Sequence, residues 1–451
     1  MNKYVYRFIC SVLLIILATL GFAAVWLRFV QERNQTGHLT GLGNILMALS
    51  IYAALFLLNG HWIGAFKIGV ERKVKVIASV VITVFITDFL EVPASMAITG
   101  QFRFFWAFLL RYMLLAVIQS AILSVLTKFM VDIYRMIIKP LNVLEVIGDH
   151  QNKLAEELNG LSGKYSIKEN VYYNDTDIDS KIECYDAVLL NDLPSFAEKK
   201  LLKSCFERNK RVYVVPKISD IILKSSQDIN LVDTPLFLCR NLGIRPWKLV
   251  VKRGLDLVLS SIAVIILSPI LIITAIAIKL EDGGPVFFTQ ERVTDHERRF
   301  RILKFRSMIV DAEKDGRPHP AGEKDDRITK VGQIIRAYRI DELPQLFNII
   351  KGDMSIVGPR PERWEHVKKY TEEIPEFVYR FKLKGGLTGY AQVYGKYNTS
   401  ALNKLKMDLI YITNYSLALD VQIVFETIKI LFLKESTEGF DQERIEKMHK
   451  G

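Results

Sequence analysis

Residues 254–278 read GLDLVLSSIAVIILSPILIITAIAI, and the placement of this run decides the architecture of the whole chain. It holds 25 residues with Asp256 as its only charge. That is long enough for a hydrocarbon core of about 30 Å. Ser268-Pro269 sits just past its middle. Proline has no amide donor and frees the carbonyl four residues back, that of Ile265. In lipid that carbonyl must be satisfied by a serine hydroxyl, by water or by a break in the helix. Lys248, Lys252 and Arg253 precede the run, and Lys279, Arg292, Arg298 and Arg299 follow it. Cations on both flanks favour an element that enters the membrane and returns to the cytoplasmic face over a kinked helix that crosses it.

Four more apolar stretches lie upstream, at 4–30, 42–58, 74–92 and 104–126. The first starts at Tyr4 with little charged leader and no small-residue cleavage pattern, so it reads as an anchor. Lys3 and Arg7 precede it. Lys67, Arg72, Lys73 and Lys75 lie between the second and third stretches, and Lys128, Arg135 and Lys139 follow the fourth. The other two loops hold Arg28, Arg33 and Arg103. This asymmetry places both ends of a four-span domain, residues 1–130, in the cytoplasm. Asp88 and Arg111 fall inside the third and fourth spans, where helix packing is favoured over a functional intramembrane charge.

Between 140 and 245 the composition turns soluble. Val143–Gly148, Asp186–Leu190 and Arg211–Val215 read as strands, and Ser195–Arg208 as a helix, which points to a small parallel α/β unit of Rossmann-like type. The turn after its first strand, Gly148-Asp-His-Gln-Asn-Lys153, holds one glycine where a dinucleotide cradle needs three, so no bound dinucleotide is expected. The totals agree with a chain divided between lipid and water. Its 451 residues are 50% hydrophobic and 24% charged with net charge +11, and mean hydropathy is +0.18. Disorder is excluded by the apolar content, and four cysteines make neither a disulfide framework nor a zinc spacing.

The chemistry is concentrated in 283–400. Gly284-Pro-Val-Phe-Phe-Thr-Gln290-Glu-Arg292-Val293 leads to Lys304-Phe-Arg306-Ser-Met308. Then come Arg336, Asp341-Glu342-Leu-Pro-Gln345 and Gly358-Pro-Arg360-Pro361-Glu362. An adjacent carboxylate pair cannot straddle a sugar as a glycosidase pair does. One carboxylate as nucleophile and the other as metal ligand fits better, and hard oxygen donors without a His/Cys cluster point to Mg²⁺. Arg336, Lys304, Arg306 and Arg360 are the candidates to hold phosphate charge.

Taken in this order, these motifs resemble the bacterial sugar transferase family, the monotopic phosphoglycosyl transferases, from about Lys252 to Leu433. They comprise Lys252-Arg253 before Ser268-Pro269, Lys304–Met308, Arg336 ahead of Asp341–Gln345, Gly358–Pro361 and Leu387-Thr-Gly-Tyr-Ala-Gln392. The layout is similar to that of the large polyprenyl-phosphate hexose-1-phosphate transferases. The resemblance implies a membrane α-helical bundle of four transmembrane helices, a small Rossmann-like α/β domain (140–245) and a mainly α-helical monotopic catalytic domain (248–451), with 254–278 re-entrant. It further implies that Asp341 takes a sugar phosphate from a UDP-sugar, releases UMP, and passes it to polyprenyl (undecaprenyl) phosphate. Glu342 would bind Mg²⁺, Arg336 and Arg360 would hold phosphates, and Lys304 and Arg306 would shape the polar site. Asp408 would either touch the nucleotide or pair within the fold.

The expected setting is the bacterial inner membrane with a cytoplasmic catalytic face, at the first membrane step of exopolysaccharide, capsule or other glycoconjugate assembly. No nucleic acid is expected, and oligomeric state is open, a homodimer included. Where the family often has Gly this chain has Thr294, where Pro-Gly is frequent it has Gly385-Gly386, and Tyr390 stands where Trp is common. Two rival readings are a membrane-bound nucleotide-sugar dehydratase or epimerase, whose helical Tyr-x-x-x-Lys is matched in spacing by Tyr213…Lys217, and a non-catalytic scaffold of polysaccharide export.

Overall fold

The computed structural model describes residues 2–30, 42–99, 102–148, 152, 154–160, 164–231, 233–239, 244–310, 325, 327–396 and 399–431. The chain forms two compact units, residues 1–216 and 217–451.

Four helices open the first unit: α1 (Lys3–Val25), α2 (Leu42–Ile63), α3 (Lys73–Thr99) and α4 (Phe105–Ile137). They follow the four apolar stretches, and α4 runs on well beyond residue 126. Leu14, Ala18 and Phe22, each one turn apart on α1, are fully buried. Phe22 stacks on Tyr52 of α2 at 4.3 Å between ring centres. Phe8, Leu20, Trp106, Leu110 and Leu114 point outward and are exposed. An apolar exterior around a packed interior is what lipid, and not water, tolerates over a whole bundle. At one end of the bundle Arg7 donates to the Ile68 carbonyl and to the Tyr134 hydroxyl, each at 2.9 Å, and Lys73 pairs with Asp132. The start of α1, the loop after α2 and the end of α4 therefore meet at one end, as an even number of passes requires.

The remainder of this unit runs β1 (Leu141–Ile147), α5 (Leu154–Asn159), β2 (Tyr165–Tyr172), α6 (Ile178–Cys184), β3 (Ala187–Asn191), α7 (Ser195–Glu207) and β4 (Arg211–Val214). The four strands are parallel in the order β2-β1-β3-β4. The strands and helix expected from sequence are β1, β3, β4 and α7. Strand β2 is additional, and its Tyr-Ser-Ile-Lys-Glu-Asn-Val-Tyr sequence is polar because it forms a sheet edge. A side chain at Gly148 would run into the Asp192 carbonyl, so this glycine serves a close backbone approach. Residues 149–151 and 153 of the same turn lie outside the described residues. Tyr213 sits on β4 and not on a helix, which leaves the dehydratase reading without its required geometry.

The second unit takes in α8 (Ile218–Lys224) and the hairpin β5 (Gln227–Leu231) to β6 (Thr234–Leu238), with Ile221 and Ile244 buried in its core. Next comes α9 (Pro246–Asp282), which runs through Pro269 as one helix. Ser268 Oγ donates to the freed Ile265 carbonyl at 2.8 Å, so the proline's loss is made good within the helix. Among the described residues, five helices are long and apolar enough to cross a membrane, α1 to α4 and α9.

Beyond α9 lie the antiparallel pair β7 (Phe287–Val293) and β8 (Arg299–Phe305), then α10 (Lys330–Ala337), α11 (Gln345–Lys351), β9 (Ser355–Val357), α12 (Trp364–Glu373), β10 (Gly386–Thr388), α13 (Tyr390–Tyr394), α14 (Ala401–Thr413) and α15 (Leu417–Leu431). Strands β9 and β10 pair in parallel. Helix α15 packs into the core through Ile423 and Ile430.

Helix α9 is docked along its length. Lys252 pairs with Asp420 at 2.7 Å, and Arg253 donates to the carbonyls of Ile349 and Ile350 at the end of α11. Asp256 accepts from Ser355 Oγ at 2.7 Å and from the Ile356 amide at 3.0 Å. Ala263, Val264 and Leu267 pack with Phe300, Ile302, Leu346 and Ile349, and Leu271, Ala275 and Ile278 with Phe305 and Ile335. The only charge in the apolar run thus fastens it to β9.

Candidate active site

Asp341 and Glu342 lie on one tight turn, Ile340–Glu342, between α10 and α11. Arg339 immediately before it has φ +56°, a left-handed conformation that costs a non-glycine residue of the order of 1 kcal/mol or more. That strained residue ends α10 abruptly and turns the two carboxylates away from the helix axis. Pro344 and the short α11 follow, with Asn348 buried and tied to the β8 backbone through Leu303 and Arg301. The turn is therefore held against β8, the strand that carries Lys304.

The two carboxylates live in different fields. Lys304 Nζ lies 2.8 Å from Glu342 Oε1, and Arg360 Nη2 lies 3.0 Å from the same oxygen. Burial alone would push Glu342 up, but Lys304 and Arg360 overcome it and hold its carboxyl well below the usual carboxylate range. Asp341 is pushed up to about 6, first by burial and then by the neighbouring Glu342 charge, against the pull of Lys304, Arg336 and Arg360. One acid is locked as an anion, and its neighbour is poised to ionise just below neutrality. Neighbouring carboxyls pushed apart in this way commonly divide two chemical roles.

The loop that presents Arg360 is built on close backbone contact. A side chain at Gly358 would strike the Lys384 carbonyl and the Gly386 amide. The Gly358 amide donates to Thr388 and the Gly386 amide to Pro359, both at 2.9 Å. Beneath the loop, Arg380 Nη2 donates to the Arg360 carbonyl at 2.9 Å and lies 2.8 Å from Asp408 Oδ2. Asp408 is buried and pushed up to about 6 by that burial, against the pull of Arg380. Its alternatives were nucleotide contact or pairing, and in the structure it is paired. Glu362 is partly buried. Burial opposes its ionisation, yet His366, Arg380, Lys404 and Arg292 together hold it down at about 2.

Lys304, Arg360, Asp341 and Glu342 are thus brought together, with Arg336 close enough for Asp341 to feel its charge. Arg306 is engaged differently: it is buried, pairs with Asp282 at the end of α9, and covers Gly284. Ser268 and Pro269 stay within α9. Three residues carry no assigned role in the motif reading and yet shape the site: Arg380, Glu362 and Arg292. Arg292 donates to the Pro361 carbonyl at 3.3 Å, and burial pushes its guanidinium down to about 10. Arg292 and Glu362 lie within the Gly284–Val293 and Gly358–Glu362 motifs, whereas nothing in the local sequence marks Arg380.

Among the described residues no cluster of three metal-binding side chains occurs. Magnesium seldom needs one, since it commonly takes one or two protein carboxylates and completes its shell with water and phosphate oxygens. Glu342 fits that demand in being ionised and partly buried. Its Oε1 already serves two cations, so an ion would draw on the remaining lone pairs of the carboxylate.

The profile of the bacterial sugar transferase family matches residues 247–434. A UDP-N-acetylgalactosamine-undecaprenyl-phosphate N-acetylgalactosaminephosphotransferase from Aeromonas hydrophila is 41% identical over 253 residues, 55% of this chain and 59% of that protein. A UDP-glucose:undecaprenyl-phosphate glucose-1-phosphate transferase from Escherichia coli (strain K12) is 36% identical over 243 residues, 51% of this chain and 50% of that protein. The exopolysaccharide production protein ExoY of Rhizobium meliloti (strain 1021) is 33% identical over 219 residues, covering 45% of this chain and 96% of that protein. The match thus spans about half to three-fifths of the first two relatives' length and nearly all of the third.

Proposed function

The chain belongs to the bacterial sugar transferase family, and on that premise we propose that it moves a sugar-1-phosphate from a UDP-sugar to undecaprenyl phosphate. The observation that carries the reading is the Ile340–Glu342 turn, with its anionic Glu342 under Lys304 and Arg360 and its Asp341 near neutrality. In the first step an Asp341 oxygen attacks the β-phosphorus, an oxygen–phosphorus bond forms, and the bond to the UMP phosphate breaks. In the second step a phosphate oxygen of the polyprenyl phosphate attacks the same phosphorus and the Asp341 carboxylate leaves. Dividing one transfer into two displacements is what a covalent intermediate offers. Exchanging one diphosphate linkage for another needs no ATP.

Arg360 and Lys304 neutralise the repulsion between two carboxylates and a diphosphate, and Arg336 adds charge on the Asp341 side. Bound at Glu342, magnesium would supply Lewis-acid neutralisation of the phosphate oxygens. Helix α9 in this reading is re-entrant. What supports that is its packing, since both of its halves lie against catalytic elements and a crossing helix would carry β8 and α10 into the bilayer with it. The membrane setting is the inner membrane with the catalytic face in the cytoplasm.

Full-length protein in nanodiscs, given a panel of UDP-sugars, should release UMP with at least one, and Asp341→Asn should abolish release. Normal turnover by D341N would remove Asp341 as nucleophile; no UMP from any UDP-sugar would remove the donor class. A cysteine placed at Lys279 should be labelled only from the cytoplasmic side, and labelling from outside would make α9 a spanning helix.

A further inference from the structure

Asp88, in the middle of an apolar helix, is fully buried in the four-helix part of the first unit. Its Oδ1 lies 2.8 Å from the Tyr52 hydroxyl of α2, and that hydroxyl lies 3.1 Å from Gln119 Oε1 of α4. Gln119 Nε2 donates to the Ala18 carbonyl of α1 at 2.9 Å, which fixes the amide so that an acceptor oxygen faces Tyr52. Gly21, nearby on α1, has no room for a side chain because Gln119 already occupies that space. One polar chain therefore joins all four helices.

The hydrogens in this chain can be counted. A tyrosine hydroxyl has one proton, and here two acceptors face it. If it goes to Asp88, Gln119 Oε1 is left against a bare oxygen. If it goes to Gln119, Asp88 Oδ1 meets a lone pair at 2.8 Å unless that oxygen carries a hydrogen of its own. One added proton satisfies every contact in a single direction: Asp88 O–H to Tyr52, Tyr52 O–H to Gln119, Gln119 N–H to Ala18. Asp88 Oδ2 is buried with no hydrogen-bond partner. That is a modest cost for a neutral acid and a severe one for an ion.

The surroundings agree. Glu91, one turn along α3, is also buried, with Oε1 unpartnered, and among the described residues neither carboxylate is in an ion pair. The other titratable groups turned towards Asp88 are Tyr52 from α2 and Tyr112 from α4, the latter bonded to Ser95 at 2.7 Å. We propose that the four-helix bundle is built around a proton-binding site, in which one proton on Asp88, passed through Tyr52 to Gln119, closes the network joining α1 to α4. The site is separate from the catalytic residues and does not depend on the reaction assigned to them.

Infrared difference spectroscopy in H₂O and D₂O tests this on the full chain in nanodiscs at pH 7. The wild type should show a protonated-carboxyl C=O band that loses intensity in Asp88→Asn. In Tyr52→Phe the same band should move to higher wavenumber, because the acid has lost its acceptor. The side-chain amide introduced by D88N would still donate to Tyr52, so that variant should melt within a few degrees of wild type. A wild type without the band overturns the proposal. So does a band untouched by D88N and Y52F, or one that responds to Glu91→Gln alone. If D88N fails to fold, the Y52F shift decides by itself.

Discussion

Thr294 and Gly385 are two of the three places where this chain departs from the residues frequent in the family it resembles, and the structure joins them. Thr294 is 1% exposed, and its hydroxyl donates to the Asp353 carbonyl at 3.1 Å and accepts from the Gly385 amide at 3.0 Å. A proline at 385 would have no amide to offer, and a glycine at 294 would have no hydroxyl to receive one. The two departures therefore answer each other. Thr294→Val keeps the shape and deletes both bonds, leaving a buried amide and a buried carbonyl short of a partner. An orphaned buried group costs about 1–3 kcal/mol, and the carbonyl, with two lone pairs, is at the lower end, so about 2–4 kcal/mol is expected.

At roughly 2–4 °C per kcal/mol for a unit of this size, that is a fall of about 4–16 °C in apparent Tm. The assay is thermal unfolding of full-length protein in nanodiscs for wild type, T294V, Gly385→Pro and the double variant. With proline at 385 there is no amide to orphan, so T294V should cost about 1–3 kcal/mol less in that background. The cycle also cancels any clash of the new ring with Pro361, which any side chain at 385 would touch. Equal costs of T294V in the two backgrounds would refute the link. The consequence reaches the site, because Gly386, the next residue, holds the Pro359 carbonyl beside Arg360.

In the proposed mechanism activity should rise as pH passes through about 6, because a nucleophilic Asp341 must be ionised and its carboxyl is pushed up to about 6. A raised carboxyl binds its proton more tightly when folded, so Asp341 withdraws stability as pH rises from its ordinary 3.8 to about 6; D341N should therefore raise Tm most at pH 6 and above and change it little near pH 3. Arg380→Met removes the donor to the Arg360 carbonyl and leaves Asp408 buried without its cation. It should lower kcat for UMP release more than tenfold, and combining it with Asp408→Asn should recover stability but not rate; full recovery of both would mean that Arg380 does not position Arg360.

Much of this was legible in one dimension. Apolar run length announced α1 to α4 and α9 because a helix in lipid must satisfy its backbone internally along an unbroken stretch. The serine beside Pro269 was one of the partners expected for the Ile265 carbonyl, and it is the one used. Asp341-Glu342 and Arg360 stood out because their motifs are contiguous. Strand β2 was missed because an edge strand looks polar, and Arg380 because its partners Arg360, Glu362 and Asp408 are all 18 or more residues away.

The sequence alone therefore determined which segments are apolar, that α1 to α4, α7, α9, β1, β3 and β4 form, and which acidic turn is the candidate for the chemistry, since these depend on neighbours within a few residues. Only the tertiary structure decided the partners. Arg306 faces α9 through Asp282, Asp408 acts on Arg380, Thr294 receives Gly385, and Asp88 meets Tyr52 and Gln119. Charge and hydrogen-bond energies fall off over a few ångströms of space. Which group neutralises which is set by the fold that brings distant residues together, and no spacing along the chain encodes it.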